Sequence, residues 1–584
     1  MEKSISGCVW KAVSYDSLQA QAIAQRWNIP ALIASIMDSR GIKAEGVPAF
    51  MDSKLQNLMP NPSVMKDADK ASSKIAEAVI QKRKVAIIGD YDVDGATSSA
   101  VLRLFLESVG INPVVHIPER DEGYGPSIKA FDDFKKQGID FVITTDCGTA
   151  AFDVLSYAKE QGFEVIVLDH HEAEVRLPEA YAVVNPKRLD DDNDYPYLKY
   201  MAAVGVVYMV VVATNRELRK QGFYKDKAEP NLLQWLDLVA LGTICDVVPL
   251  IGLNRAFVRQ GLKIMAQRQN IGIKALADKA GLSEAPTAFH LGYVLGPRIN
   301  AGGRVGDSSL GNKLLCSHDE KEAMLLAEKL DEFNTQRKDI ENFVLEQAIT
   351  ELDSKPSDYP IAFVAGHNWH QGVVGIVAGK LKERYNLPSF VMSIEDDEVK
   401  GSARSIPQID LGALIISAKE KGIITKGGGH TMAAGYSLNE DKIEDFRRFV
   451  GEYVKEHLGD EAITPVIEYD GILDLRGATE ELAQSLEMLE PYGAGNPEPK
   501  LVIKNVRFKK SSIVGSAHVK CFLSSETGGS LKAMAFRVAD SDLGATMLAS
   551  HDDVFDVLGT LRRDTWMGHN AVQFIIEDAK RVTR

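Results

Sequence analysis

The chain is 584 residues long and 45% hydrophobic, with a formal net charge of −15 and a pI near 5.4. That length allows three or four domains of ~100–200 residues each, and the acidic balance argues against a protein that coats nucleic acid generally. It does not exclude a nuclease, because carboxylates that hold metals count as negative until cations bind, and a local basic track can coexist with an acidic whole.

The opening MEKSISGCVW has no basic region followed by an apolar run, so it does not read as a signal peptide. Residues 1–60 read as a small helical and loop region with no assignable chemistry. From there the pattern sharpens into alternating helices and short apolar strands. Ala71–Ile80 reads as helix, KVAII (84–88) as strand, Ala96–Ser108 as helix and PVVHI (113–117) as strand. Ile128–Lys136 is helical, FVITT (141–145) strand, Thr149–Gln161 helix and FEVIVL (163–168) strand. This rhythm means an α/β fold with a mainly parallel sheet. The apolar run VGVVYMVVVA (204–213) is too short to span a membrane and belongs to a more helical section reaching about 315. The charged stretch 319–353 repeats apolar residues at helical spacing and reads as a connector helix with an interruption near Asn334, ended by Pro356.

A second α/β unit opens with IAFVAG (361–366) and closes near His457. Beyond it, LVIKNVRF, VKCFLSS, LKAMAF, VFDVLGTLRR and VQFIIEDA are separated by glycine, serine and aspartate turns, which suggests a small β-barrel. The expected layout is therefore 1–60, a first α/β domain 61–318, a connector 319–355, a second α/β domain 356–457 and a barrel 463–584. The five cysteines, Cys8, Cys147, Cys245, Cys316 and Cys521, are scattered and form no CxxC pair, so neither a disulfide scaffold nor a structural zinc is indicated. A soluble, cytoplasmic protein is expected.

Four peptides place acidic or histidine groups just after expected strands: GDYDVDGATS with Asp90, Asp92 and Asp94; TTDCGT with Asp146; LDHHE with Asp169, His170 and His171; and LGTICDVVPL with Asp246. In parallel sheets such positions converge beyond the carboxyl ends of the strands. Any one of these aspartates taken singly is more often a helix cap or turn residue. Together they would repel strongly in a dry cleft without cations. Oxygen ligands with one imidazole suit Mn or Mg, and two ions ~3.5–4 Å apart, sharing a carboxylate, activate water and stabilise a leaving oxygen in phosphate displacement.

At these residues the sequence resembles the DHH phosphoesterase superfamily and, within it, the bacterial RecJ-like single-strand-specific exonucleases. GPRINAGGR (296–304), WHQGVVGIVAGK (369–380), KGSARS (400–405), GGGHTMAAG (427–435) and PYGAGNPEP (491–499) extend the match in order along the chain. The resemblance implies a 5′→3′ exonuclease that hydrolyses single-stranded DNA to mononucleotides in repair and recombination, with two divalent ions, Mn or Mg. It implies Asp92, Asp94, Asp146, His170 and Asp246 as metal ligands, with Asp146 bridging. Many DHH relatives carry a histidine where this chain has Ile88, and Asp90 is expected to take over that ligand role or stand close behind it. Asp169 is implied as the orienter of a neighbouring histidine, and His171 as a phosphate contact or proton donor. Ser402, Arg404 and His430 are implied on the substrate side, with Arg298, Arg304 and Arg120 facing phosphates.

By the same resemblance the barrel is an OB-fold of the single-strand-binding kind. Lys500, Lys504, Arg507, Lys509, Lys510, His518, Lys520, Arg562 and Arg563 make a basic patch interspersed with Phe508, Phe522, Phe536 and Trp566, and Trp566 is the aromatic most suited to stacking on a base. Read without the resemblance, most of these aromatics are equally core residues, Arg298 and Arg304 equally surface ion-pair partners, and His430 equally a loop histidine. His367 and His370 beside Trp369 are open between packing and catalysis. The expected partners are single-stranded DNA, a helicase and a single-strand-binding protein, with no membrane and a monomeric chain. The competing enzyme reading is a DHH phosphoesterase acting on short oligonucleotides or cyclic dinucleotides. A binding scaffold with a dead site should lack a ligand carboxylate, and none is missing.

Overall fold

A computed structural model of the protein describes residues 3–120, 122–355, 358–459, 464–526, 528–549, 553–564 and 571–582. The first α/β unit is built on a five-stranded, all-parallel sheet in the order Val114–His116, Val85–Ile88, Phe141–Thr145, Glu164–Leu168, Ala182–Val184. Its strands are short and rich in β-branched residues, and all but the edge strand Val114–His116 are largely buried on both faces, which is why they read as continuous apolar runs. Val85, Ile87, Phe141, Ile143, Ile166 and Leu168 face one core, which includes Phe105 and Tyr208. Ala86, Ile88, Val142, Val165 and Val167 face the other, against Phe131 and Phe134. Numbered within this sheet, the order is 2-1-3-4-5. The strand order reverses at Val85–Ile88 and Phe141–Thr145, and such a switch point opens a crevice at the carboxyl edge.

Most elements fall where the sequence places them, with helix Val93–Ser108 and helix Phe152–Glu160 differing from expectation by about a turn at one end. Two expectations fail. LGTICD does not follow a strand: Leu236–Cys245 is a helix, buried from Leu236 to Thr243, and Asp246 caps its C-terminus. Its all-round apolar composition hides helical periodicity, because neighbouring helices cover every face. The connector is a single helix, Glu320–Ser354, without interruption. Asn334 is 2% exposed, and its side-chain oxygen accepts from Arg337 Nη2 at 3.0 Å, so it joins a side-chain network instead of competing for the helix backbone.

The second unit is a five-stranded mixed sheet in the order Lys426–His430, Ala433–Asn439, Glu398–Arg404, Ser389–Glu395, Ala362–His367. Helix Gln371–Tyr385 packs between this sheet and the connector helix. In the C-terminal part, strands Leu501–Val514, His518–Ser525, Ser530–Ala535, Ala571–Arg581 and Phe555–Asp564 pair in that order. The last pairs back with the first and closes a barrel.

Residues 1–60 are not a separate region. Strand Val9–Ala12 pairs in parallel with Val466–Tyr469. Ile23, Ile33, Ile36, Met37 and Val47 share one core with barrel residues such as Phe508, Phe555 and Phe574. No helix among the described residues is long and apolar enough to cross a membrane.

Candidate metal centre and substrate cleft

Three strand ends of the first sheet deliver the acidic groups. Gly89 donates its amide to His116 O at 3.0 Å, Asp146 to Leu168 O at 3.0 Å and Asp169 to Val184 O at 3.1 Å, so the ladder carries each residue to one edge. Asp146 sits at φ 63 and is followed by Gly148 at φ 114. A β-carbon on Gly148 would lie 2.7 Å from Thr144 Oγ1, so the turn that presents Asp146 tolerates only glycine there. Asp92 caps helix Val93–Ser108, accepting from Gly95 N at 3.0 Å. Asp94, one turn in, accepts the amides of Ala203 at 2.6 Å and Val204 at 2.9 Å, at the start of helix Ala203–Lys220.

These groups converge. The ligand atoms of Asp90, Asp92 and Asp146 lie within 4.8 Å of one another, as do those of Asp94, His170 and Asp246, and those of Asp146, His170 and His171. His170 Nε2 is 3.3 Å from Asp146 Oδ1 and 3.9 Å from Asp94 Oδ2, and its Nδ1 is 3.6 Å from Asp246 Oδ2. Asp90 Oδ1, Asp146 Oδ1 and Asp246 Oδ2 are buried without a hydrogen-bond partner. Orphaned carboxylate oxygens aimed at one another cost free energy unless a cation satisfies them, and that is the test a divalent metal passes here.

The electrostatics agree. Burial, followed by the charge of Asp92, pushes Asp90 and Asp94 up to about 7. Burial and the charges of Asp94 and Asp92 push Asp246 to about 9 and raise Asp146 well above the usual range. Burial and neighbouring His171 lower His170 to about 4, leaving a neutral imidazole suited to ligation. The adjacent pair behaves oppositely. Burial opposes ionisation of both His171 and Asp169, but their mutual hydrogen bond of 2.7 Å outweighs it, raising His171 and lowering Asp169. Asp169 also accepts from the amides of Thr149, His170 and His171 at 2.9, 2.7 and 3.2 Å, so it orients His171 and the strand-end turn together.

Across the crevice stands a group of arginines. Arg120 Nε donates to Gly303 O at 2.5 Å, and its guanidinium stacks 4.5 Å from the Tyr91 ring centroid. Arg304 reaches from helix Gly296–Val305 into the second unit, donating to Gly372 O at 2.9 Å. Arg404 Nη1 donates to Ser402 Oγ at 3.0 Å and to Ala403 O at 2.9 Å. None of the three has a carboxylate ion-pair partner among the described residues. Burial and the neighbouring positive charges of Arg120 and Arg337 lower Arg304 to about 10, as expected of cations awaiting an anion.

Arg298 is elsewhere engaged: its Nε pairs with Asp331 at 2.8 Å and its Nη1 donates to Val294 O, which anchors the connector helix instead of facing phosphate. His430 is exposed on the edge strand. Through Ala433 it is in register with Arg404, two strand spacings or ~10 Å away. His370 caps helix Gln371–Tyr385, and its imidazole feels the charge of Arg120. Trp369 is core, its ring over Gly366 and its Nε1 donating to Gln347 at 2.7 Å.

Tyr124 was not legible in the sequence. Its hydroxyl is 2.9 Å from Asp146 O and 3.1 Å from His171 Nδ1, while the residue as a whole is 51% exposed above the centre. It sits in a loop without periodicity, so only folding brings it to His171. Asn185 is a second such residue, donating to Thr149 Oγ1 at 2.9 Å and His171 O at 2.8 Å.

On the barrel, the basic patch is smaller than its sequence suggests. Arg562 pairs with Glu498, Arg563 with Glu487, Lys500 with Glu577 and Arg507 with Glu526. Phe508 is core. The outward side chains of paired strands His518–Ser525 and Ser530–Ala535 nevertheless set His518, Lys520, Phe522, Lys532 and Met534 side by side, with Phe536 51% exposed just beyond. Trp566 lies outside the described residues.

Known proteins reproduce this combination. A DHH family N-terminal domain model matches residues 84–243, a DHHA1 domain model 358–456 and a RecJ OB domain model 469–578. The single-stranded-DNA-specific exonuclease RecJ of Escherichia coli strain K12 is 34% identical, over 94% of this chain and 96% of that protein. The Bacillus subtilis strain 168 enzyme of the same name is 32% identical, over 98% of this chain and 70% of that protein. The crystal structure of RecJ in complex with Mn2+ from Thermus thermophilus is 26% identical and superimposes with a TM-score of 0.82, covering 98% of this chain and 80% of that one. Their identity over nearly the full length, joined to the convergent aspartates and the closed barrel, means that this chain belongs to the RecJ family of single-stranded-DNA-specific exonucleases.

Proposed function

We propose that the chain hydrolyses single-stranded DNA from a 5′ end to mononucleotides, with a pair of divalent ions, Mn or Mg, held by Asp92, Asp94, Asp146, His170 and Asp246. The observation that carries this is the set of buried, unpartnered oxygens of Asp146 and Asp246 around His170, with that of Asp90 beside Asp146, facing arginines that lack carboxylates among the described residues. Asp146 belongs to two of the ligand groups, which fits a shared carboxylate. Asp90 completes the set beside Asp92. When bound, the ions supply an activated water and stabilise charge on the phosphate. Asp169 orients His171 and favours its protonated form, and His171 with Tyr124 meets the phosphate and hands a proton toward the leaving oxygen.

Arg120, Arg304 and Arg404, with Ser402, take the terminal 5′ phosphate through charge-assisted hydrogen bonds, and His430 meets the strand further along the second sheet. The next linkage then lies over the metal centre, which sets the product as one nucleotide. The outer face of the barrel, with Lys520, Phe522, Lys532 and Phe536, binds the incoming single strand by charge and stacking. Trp566 is assigned to the same strand path on its sequence alone. An enzyme restricted to unpaired strands calls for a helicase to supply them and a single-strand-binding protein to present them. The metal centre and cleft are complete within one chain, in keeping with a monomer.

The test uses strands labelled and blocked at either end, of ~5 and ~50 nucleotides, with and without Mn or Mg. Blocking the 5′ end should abolish metal-dependent release of mononucleotides, and blocking the 3′ end should not. Equal cleavage of both blocked strands would remove the polarity, and equal rates on the short and long strands would favour a short-oligonucleotide phosphoesterase.

A further inference from the structure

Asp246 is the ligand candidate that no strand of the sheet delivers. Its Oδ2 has no hydrogen-bond partner among the described residues, so where it points depends on how its backbone is held. The next residue, Val247, is held at φ 59, a left-handed conformation that a β-branched residue rarely adopts. Helix ends of this shape ordinarily use glycine or asparagine, so contacts from outside the turn must hold this one.

Those contacts come from a segment more than two hundred residues later in the chain. The Leu250 amide donates to Ala494 O at 2.8 Å. Gly493 presses bare backbone on the loop: a β-carbon there would lie 2.8 Å from Leu250 Cδ1 and 3.8 Å from Ile244 Cδ1. Gly495, at φ 69, does the same to Pro249, whose Cβ would be 3.0 Å away. From the other side Asn254 Nδ2 donates to Pro249 O at 3.0 Å.

The segment is itself clamped. Arg255 is 2% exposed and donates to the carbonyls of Leu489, Glu490 and Pro491 at 3.1, 2.6 and 3.4 Å. Arg40 donates to Asn496 Oδ1 and to Pro497 O. Asn496 Nδ2 closes the turn on Leu489 O and Pro491 O, both at 2.8 Å. Arg255 spends its donors on backbone carbonyls, including Phe50 O at 3.0 Å, so it braces structure and does not await an anion.

We propose that the turn Leu489–Pro497 is a positioning element of the metal centre. By seating Gly493 and Gly495 against Pro249 and Leu250, it holds the Asp246 carboxylate beside His170. The C-terminal module then acts on metal binding as well as on DNA affinity. This rests on the metal-centre reading above.

The full-length chain carrying Gly493→Val or Gly495→Ala tests it. Mn2+ binding to metal-stripped protein is followed by electron paramagnetic resonance, alongside kcat and KM on a strand too short to reach the barrel. Gly493→Val should weaken Mn2+ binding ~10-fold and lower kcat by a similar factor, as loss of a ligand-orienting contact does. KM should stay within ~2-fold, because substrate groups are untouched. Gly495→Ala should move both in the same direction by ~3-fold. If Gly493→Val loses its cooperative melt, Gly495→Ala decides. A folded Gly495→Ala variant with unchanged Mn2+ binding and kcat overturns the proposal. If the unsubstituted chain itself binds no Mn2+, the metal-centre reading has failed, and the positioning role with it.

Discussion

Asp146 illustrates how much one side chain is asked to do. It stands at a left-handed turn, shares its ligand surroundings with Asp90, Asp92, His170 and His171, and keeps a buried oxygen unpartnered. Asp146→Ala should therefore lower hydrolysis by at least ~100-fold and weaken Mn2+ binding at both proposed sites, while relieving like-charge crowding in the metal-free protein. A folded variant with normal turnover would remove Asp146 from the centre.

The same crowding sets a pH dependence. Burial and neighbouring carboxylates push Asp90 and Asp94 up to about 7 and Asp246 up to about 9 in the folded chain, against about 4 for ordinary aspartate. Past pH ~6.5 His170 is neutral in the folded chain and mostly so in the unfolded one, while the folded chain holds carboxyl protons that the unfolded chain has lost. Metal-free stability should therefore fall as pH rises from ~6.5 to ~9, and Mn2+, which binds the deprotonated groups, should reverse the slope. Thermal melts in chelator and in Mn2+ across that window check the sign. A metal-free melting temperature that climbs with pH would contradict the crowding.

At the scale of elements, the connector helix does more than span a gap. Glu341, 4% exposed, pairs with Arg337 at 2.5 Å within the helix and with Lys380 of helix Gln371–Tyr385 at 2.5 Å. Arg337 also donates to Asn334, and Arg298 ties the helix to the first unit through Asp331. The two α/β units are thus fixed to one rod by largely buried charge pairs. Breaking such a pair by removing one partner leaves an uncompensated charge, so Glu341→Ala should destabilise by ~3 kcal/mol, read by urea unfolding. Because Arg304 and Arg404 face each other across this joint, KM for a 5′-phosphorylated strand should rise in the same variant. A loss below ~1 kcal/mol would mean that solvent already screens the network.

For the whole molecule, the proposed function makes the cleft between the two α/β units the device by which strand ends matter. Arg404 should be the selector on the second unit. The unsubstituted enzyme should prefer a 5′-phosphate over a 5′-hydroxyl end, and Arg404→Ala should lose ~10-fold or more of that preference. Equal preference in both proteins would remove Arg404 from the end-binding role. A covalently closed single strand should resist hydrolysis, and efficient cleavage of it would overturn recognition of the strand end in the cleft.

Apolar runs and turn residues reported the parallel sheet, the connector helix, the second unit and the barrel, because strand and helix periodicities follow from local burial. The motif residues Asp90, Asp92, Asp94, Asp146, His170 and His171 were legible because strands of one parallel sheet must end at one edge. What lies between distant segments was not legible. Only packing decided that residues 1–60 complete the barrel core, that Asp246 arrives on a helix end braced by Gly493 and Gly495, and that Tyr124 reaches His171. Packing also separated Arg304, left without a carboxylate, from Arg298, Arg562 and Arg563, which already have one. A sequence specifies which groups each element carries. Which of those charges is neutralised at home and which is left facing the substrate depends on the partners that the closed fold brings within hydrogen-bond reach.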